Sequence, residues 1–413
     1  MILLDQHSNM VTLHEYFNLK PINNNNNKSM SEEENLENEE VEEVIDEIDD
    51  LGVDMPDIPL PSEEEPEETI EDEFTAAYKF AIVGVGQGGS RLAETFWNLG
   101  YRRVAAINTA AQDLKPLKIP EQNKLLIGGS GAGKNREVAK NIFEEHREDI
   151  LDFLKNVFKS DFDRVLVCIG AGGGTGAGGG PTVVEIAHDL CESFGIETSD
   201  YQAKVGAIVA LPTKAEGSRV RSNAKETTDA LINFCNNGTL SPLVILDNER
   251  IKQIYPKLSV NKFWTTANTS ICSLFHLFNK VSAQDSEYTA FDKADLDTVL
   301  SSGIISFGAV PVRLQGDEVQ ETDISYAVRD NLKKNILANI DVASGKVASC
   351  VVIGDRGILD NTPQEYLEHG FEQLSRILGD GSTVHRGIYH TSKKGLVVYT
   401  IIGGIEAPDQ LFK

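Results

Sequence analysis

One long stretch of this 413-residue chain has no basic residues. Between Ser31 and Glu73 stand about 22 Asp and Glu and no Lys or Arg, so most of the net charge of −26 sits there and the remainder carries about −4. Such an arm repels phosphate backbones and anionic lipid, which excludes nucleic acid and membrane surfaces as its direct partners; a basic adaptor protein docking on it fits better. Cysteine is scarce. Cys168, Cys191, Cys235, Cys272 and Cys350 are scattered and odd in number, which excludes a disulfide framework and the paired spacing of a metal site. No run of about 18 apolar residues occurs, and the opening MILLDQHSNMVTLHEYF lacks a basic region and a small-residue cleavage site. The expectation is a cytoplasmic protein with reduced thiols.

Residues 1–76 combine an Asn tract (Asn23 to Asn27) with the acidic run, a composition that cannot bury enough apolar surface to offset chain entropy, so disorder is expected there. Two short pieces of this tail could dock on something: 10–19 has helical spacing, and DIPLP (57–61) is an extended, proline-stiffened clip. From Tyr78 the pattern changes. YKFAIVGVG, RVAAIN, NKLLIG, DRVLVCIG and KVGAIVALP read as strands. Between them stand a helix over SRLAETFWNLG, one long polar helix over 135–158 and a helix started by Pro181. This alternation suits crossover units in a parallel sheet covered on both faces. After LVILDN come helices near 249–256 and 263–280, then a second, smaller α/β region over 305–406 and a short tail, 407–413.

Three glycine loops follow strands. GVGQGG places Gly84, Gly86 and Gly89 at dinucleotide-fingerprint spacing, yet the second strand ends on Asn108 and Thr109 instead of the acid that a NAD ribose needs. GGSGAGKN (128–135) is one residue short of a Walker A loop, because Asn135 replaces the Ser or Thr that holds magnesium; a P-loop ATPase using Lys134 is therefore a rival. IGAGGGTGAGGGP (169–181) lies between a strand and a helix, where glycines let backbone N–H groups close around phosphate oxygens and Thr175 adds a hydroxyl.

GGGTGAG (172–178) resembles the signature of the tubulin/FtsZ family of filament-forming GTPases, and further matches run in order across 78–406. GVGQGG resembles its first nucleotide loop, NTAAQDL (108–114) its second-strand element and GAGKN (131–135) its γ-phosphate loop. The resemblance implies an α/β fold with a parallel-sheet nucleotide-binding domain (77–248), base-recognition and core helices with a synergy loop (249–304), and a C-terminal α/β domain (305–406). It also implies GTP or GDP, with Mg2+ held mainly through the nucleotide and no dedicated metal ligands. The implied contacts are Gly86, Gln87, Gly88, Asn108, Gly131, Ala132, Gly133, Gly172, Gly173, Gly174, Thr175, Gly176, Ala177 and Gly178.

On the base side, Glu216 is the candidate for the ribose, or else a surface carboxylate. Asn248 is the candidate for guanine or ribose, with a helix N-cap by Asn248 or Asp247 as the alternative. Trp264 and Asn268 stand one helical turn apart, and the resemblance implies that the ring stacks on the base and the amide meets its edge, although Trp is also a common core residue. FDKADLDTVLSSG resembles the synergy loop, whose two acids reach the neighbouring subunit's nucleotide; Asp292 and Asp295 match them, and Asp297 lies further along. An acidic helix start would account for the same pair and is compatible with that role.

Two departures stand out: the family Asn before the first Asp is Ala290, and the family Arg after the ribose Glu is Val220, flanked by Arg219 and Arg221. The resemblance thus implies a GTPase activated by head-to-tail polymerisation of this chain with itself, serving cell division, DNA or phage positioning, or cell shape. A P-loop ATPase and a hydrolysis-deficient filament protein remain the alternatives.

Overall fold

The computed structural model describes residues 75–196, 204–254, 259–316, 318–333, 340–379 and 381–408, and a separate two-residue ladder pairing Leu3 and Leu4 with Val11 and Met10. The acidic run, the DIPLP clip and all of the helical reading of 10–19 beyond Met10 and Val11 lie outside the described residues; those two are strand residues, not the start of a helix.

A ten-stranded sheet forms the frame. Its first half contains β1 (Phe80–Val85), β2 (Val104–Asn108), β3 (Lys124–Leu126), β4 (Arg164–Gly170), β5 (Val205–Leu211) and β6 (Leu243–Asp247). Its second half contains β7 (Ile304–Pro311), β8 (Val347–Asp355), β9 (Thr383–Thr391) and β10 (Leu396–Gly403). The order across the sheet is β9-β8-β10-β7-β6-β5-β4-β1-β2-β3. Every neighbouring pair is parallel except those made by β10, which runs antiparallel to β8 and β7. Strand residues alternate between two cores: Ala81, Val83 and Val85 join one, Phe80 and Ile82 the other. Both faces are therefore covered, as the continuous apolar runs require.

The helices of the first half are α1 (Gly86–Asn98), α2 (Ala111–Leu114), α3 (Arg136–Glu145), α4 (Arg147–Phe158), α5 (Gly174–Ser193), α6 (Ser218–Asn236), α7 (Asn248–Ile254) and α8 (Val260–Val281). Then come α9 (Lys293–Leu300), α10 (Asp323–Lys333), α11 (Arg356–Asn361) and α12 (Gln364–Leu378). The single polar helix expected over 135–158 is two, broken at His146, where ψ turns to 20°. The helix expected to start at Pro181 starts at Gly174 and carries Pro181 in its interior.

That proline would normally cost a helix about 3 kcal/mol or more, in part because the carbonyl four residues back loses its donor. Here that carbonyl is Ala177 O, and the buried Thr227 hydroxyl from α6 donates to it at 3.0 Å. Glycine lets α5 run where bulkier residues would not fit: a Cβ on Gly178 would stand 2.2 Å from Arg136 O, and one on Gly179 2.4 Å from the Phe143 ring. Helix α3 thus lies against α5 at backbone distance.

Candidate functional site

Because β1 to β6 are all parallel, their carboxyl ends share one edge, and the three glycine loops, which follow β1, β3 and β4, meet there. Gly86 begins α1 at φ +70, and a Cβ on it would stand 2.7 Å from Gly176 N, so the first and third loops touch. A Cβ on Gly174 would stand 2.9 Å from both Ala132 Cβ and Asn135 N, which brings in the second loop. The Thr109 and Thr175 hydroxyls lie 2.7 Å apart, and Gly131 N donates to Thr109 O at 2.8 Å. Asn108 Oδ1 accepts from Thr109 N at 2.8 Å, while Asn108 Nδ2 and Gln87 Nε2 donate to the two oxygens of Asp113 at 3.3 and 3.2 Å.

The first turns of α1, α5 and α6 carry no acidic residue, so their positive ends are not neutralised from within. Free N–H groups at the starts of α1 and α5, a hydroxyl at Thr175 and a glycine-lined wall make an anion cradle of phosphate type. The span 172–178 is not uniform, however. Gly172 to Gly176 form the turn and first helical turn, whereas Ala177 and Gly178 are buried beyond it and provide the close packing of α5.

On the base side the local bonding is mixed. Glu216 Oε1 accepts from Thr213 N at 2.9 Å, holding its own turn. Asp247, not Asn248, accepts the N–H groups of Glu249 and Arg250 at 2.9 and 3.3 Å; Asn248 is buried at the start of α7. Asn279 near the far end of α8 is bonded to Tyr78 just before β1, hence at the amino edge. Trp264 and Asn268 are roughly 22 and 17 Å up the helix, towards the loop edge. Trp264 is 36% exposed, and Asn268 is half-buried. The ring is therefore not core filling.

The acidic pair lies at the opposite edge. Asp292 is the N-cap of α9, accepting from Ala294 N and Asp295 N at 2.8 and 2.9 Å, and Asp295 Oδ2 accepts Asp292 N at 3.3 Å, a capping box. Asp295 Oδ1 lies 2.6 Å from His385 Nδ1 at the start of β9. Asp297 is tied down: it accepts from Tyr78 Oη at 2.8 Å and pairs with the buried guanidinium of Arg164, first residue of β4. Burial pushes the Asp297 carboxyl up, but the Arg164 hydrogen bond and charge outweigh it and hold the group below the usual carboxylate range. These contacts with the beginnings of β4 and β9 fix Asp292, Asp295 and Asp297 at the amino edge. Strand β1 alone puts roughly 20 Å between them and the glycine loops.

The family model for the GTPase domain of the tubulin/FtsZ family matches residues 79–256, the segment that contributes all three glycine loops. That segment is a GTPase domain of the tubulin/FtsZ family. It is 27% identical over 223 residues to cell division protein FtsZ 1 of Pyrococcus woesei, covering 52% of this chain and 54% of that one, so the match spans about half the length of that relative. To cell division protein FtsZ 2 of Methanocaldococcus jannaschii it is 27% identical over 358 residues, 82% of this chain and 83% of the relative. The fold is that of a Bacillus thuringiensis TubZ, solved as a GTPγS-form protofilament, with TM-score 0.68, 16% identity and coverage of 81% and 90%.

Three residues of this tubulin/FtsZ-like site escaped the sequence reading. Asn223 of α6 is buried, and its amide donates to Lys134 O, Gly172 O and Gly173 O at 3.1, 3.3 and 3.5 Å, holding the second and third loops together. Asp113 links Gln87 to Asn108. Each stands on a helix where polarity is ordinary, so only a three-dimensional neighbour reveals its part. The third is His385, isolated in a strand. Val220, where the family has Arg, is buried, and its Cγ1 would lie 2.6 Å from a Cβ on Gly172; Arg219 and Arg221 are exposed. Packing occupies the arginine position.

Proposed function

We propose that the chain binds and hydrolyses GTP and polymerises head-to-tail, each hydrolytic site being completed by the next subunit. The observation that carries this reading is the separation of its two halves: the phosphate cradle and the Asp292–Asp295 pair sit on opposite edges of one sheet. Within a subunit they cannot meet. A second copy stacked along the strand direction brings one edge to the other, in a heterologous contact that does not close on itself.

In this reading the N–H groups of Gly86, Gln87 and Gly88 and of Gly173 to Gly176 hold the phosphates, with Thr175 adding its hydroxyl. Gly131, Ala132 and Gly133 face the terminal phosphate. Trp264 and Asn268 serve the base, and Glu216 and Asn248 the ribose and base edge. Mg2+ would be carried by the phosphate oxygens, where it would neutralise charge. Asp292 and Asp295 of the neighbour orient and polarise a water toward the γ-phosphate, whose loose transition state asks mainly for positioning. Hydrolysis then weakens the longitudinal contact.

Sedimentation with GTP is expected to pellet the protein, and Asp295→Ala filaments are expected to form but release phosphate at least tenfold more slowly. No assembly at any concentration or salt would overturn the proposal. Against a P-loop ATPase, Thr175→Val is expected to weaken nucleotide binding more than Lys134→Ala. A slow-turnover filament former is the second reading, favoured by buried Val220 and by Ala290, and phosphate release from wild-type filaments decides it. The choice among cell division, DNA or phage positioning and cell shape is made by a fluorescent fusion in cells, read as a mid-cell ring, a travelling filament or a diffuse pool.

A further inference from the structure

His385 contacts the acidic loop from outside it, across about 90 residues of chain. Its Nδ1 lies 2.6 Å from Asp295 Oδ1. Its Nε2 is buried with no hydrogen-bond partner. These two facts together select a tautomer: a proton on Nε2 would be a buried donor with nothing to receive it, whereas an unprotonated Nε2 leaves only a weak acceptor unused. The proton therefore sits on Nδ1 and points at Asp295. The ring is held on its flank by Phe291, edge-on at 6.5 Å between centroids, and its side chain is only 16% exposed.

Asp295 has two oxygens with unequal duties. Oδ1 receives the imidazole, and Oδ2 receives only the long 3.3 Å bond from Asp292 N, leaving it with lone pairs to spare. Fixing the first oxygen removes the carboxylate's freedom to rotate about its last bond and so aims the second.

We propose that His385 is a positioning residue for hydrolysis, its Nδ1–H locking Asp295 so that Oδ2 is presented to the water on the neighbouring subunit's nucleotide. The inference rests on the interface-completed site proposed above. Among the described residues the Asp292 side chain bonds only to the start of α9, with no such anchor outside it. Asp295 is thus the directed member of the pair, and Asp292 the one that adapts.

The test uses the full chain and compares amides that place nitrogen at different ring positions. Asn at 385 puts its amide where Nδ1 was; Gln reaches the Nε2 position instead. His385→Asn is expected to keep phosphate release per polymerised subunit within about threefold of wild type, and His385→Gln to lower it about tenfold or more at an unchanged assembly concentration, since a displacement of about an ångström in a reacting group can cost up to a hundredfold. Equal turnover in the two variants overturns the proposal, as does loss of turnover only in proportion to lost assembly. Asp295→Ala, measured beside them, separates the two levels. If its filaments hydrolyse GTP like wild type, the interface reading itself fails; if they are slow while Asn and Gln at 385 behave alike, only the role of His385 fails.

Discussion

Thr227 illustrates how a single hydroxyl permits a motif. Its other neighbour, Asn223 O at 2.8 Å, already serves the helix ladder, so the proton is worth more at Ala177 O, which Pro181 leaves without a donor. Thr227→Val is expected to cost about 1–3 kcal/mol in urea unfolding, and adding Pro181→Ala should recover much of it by restoring the missing N–H. His276 makes a different prediction. Burial lowers its pKa from 6.5 to about 4, so the folded state prefers the neutral ring. The associated stability is fully present above pH 6.5 and is lost as pH falls from there toward 4, by about 3 kcal/mol at most. A His276→Asn variant should lose that slope when unfolding is followed across this range. Neither residue was legible in the sequence, because each acts through a partner distant in the chain. The glycine loops were legible, since no side chain other than hydrogen survives at Gly86 or Gly176, and that requirement is written in residue type.

Helices carried the larger errors and the clearest reasons for them. Pro181 reads as a helix start because a proline is cheapest in the first turn; the α6 hydroxyl that makes an interior position tolerable is invisible along the sequence. The periodicity of 135–158 gave no warning of the break at His146, where no glycine or proline stands. Strand positions, by contrast, were read nearly to the residue, because strands covered on both faces spell themselves as continuous apolar runs. At α9 the cap and the proposed chemistry share one side chain and can be separated. Asp292→Asn keeps an N-cap acceptor and should leave the melting temperature almost unchanged, whereas Asp292→Ala should lose about 1 kcal/mol. Both remove the charge, so both should slow phosphate release; equal turnover in Asp292→Asn and wild type would confine Asp292 to capping.

For the whole molecule, the two halves of the sheet are joined by a narrow seam, Leu243 to Ile304 and Val244 to Ile305, braced by α8 on one of the two covered faces. If hydrolysis needs two subunits, phosphate release per subunit should be negligible below the concentration at which protein pellets and should rise abruptly above it. A rate independent of concentration would argue for a site complete within one chain. In the proposed head-to-tail filament, the opposed edges of the sheet would also decide the character of the two tips. At one tip a cradle would face water with no acidic loop over it, so its nucleotide would be exchanged but not consumed. At the other tip an acidic loop would project with nothing to act upon. Such a polymer would be chemically lopsided, with an unspent nucleotide at one extremity only, and growth and shrinkage would not have to proceed at the same pace from the two.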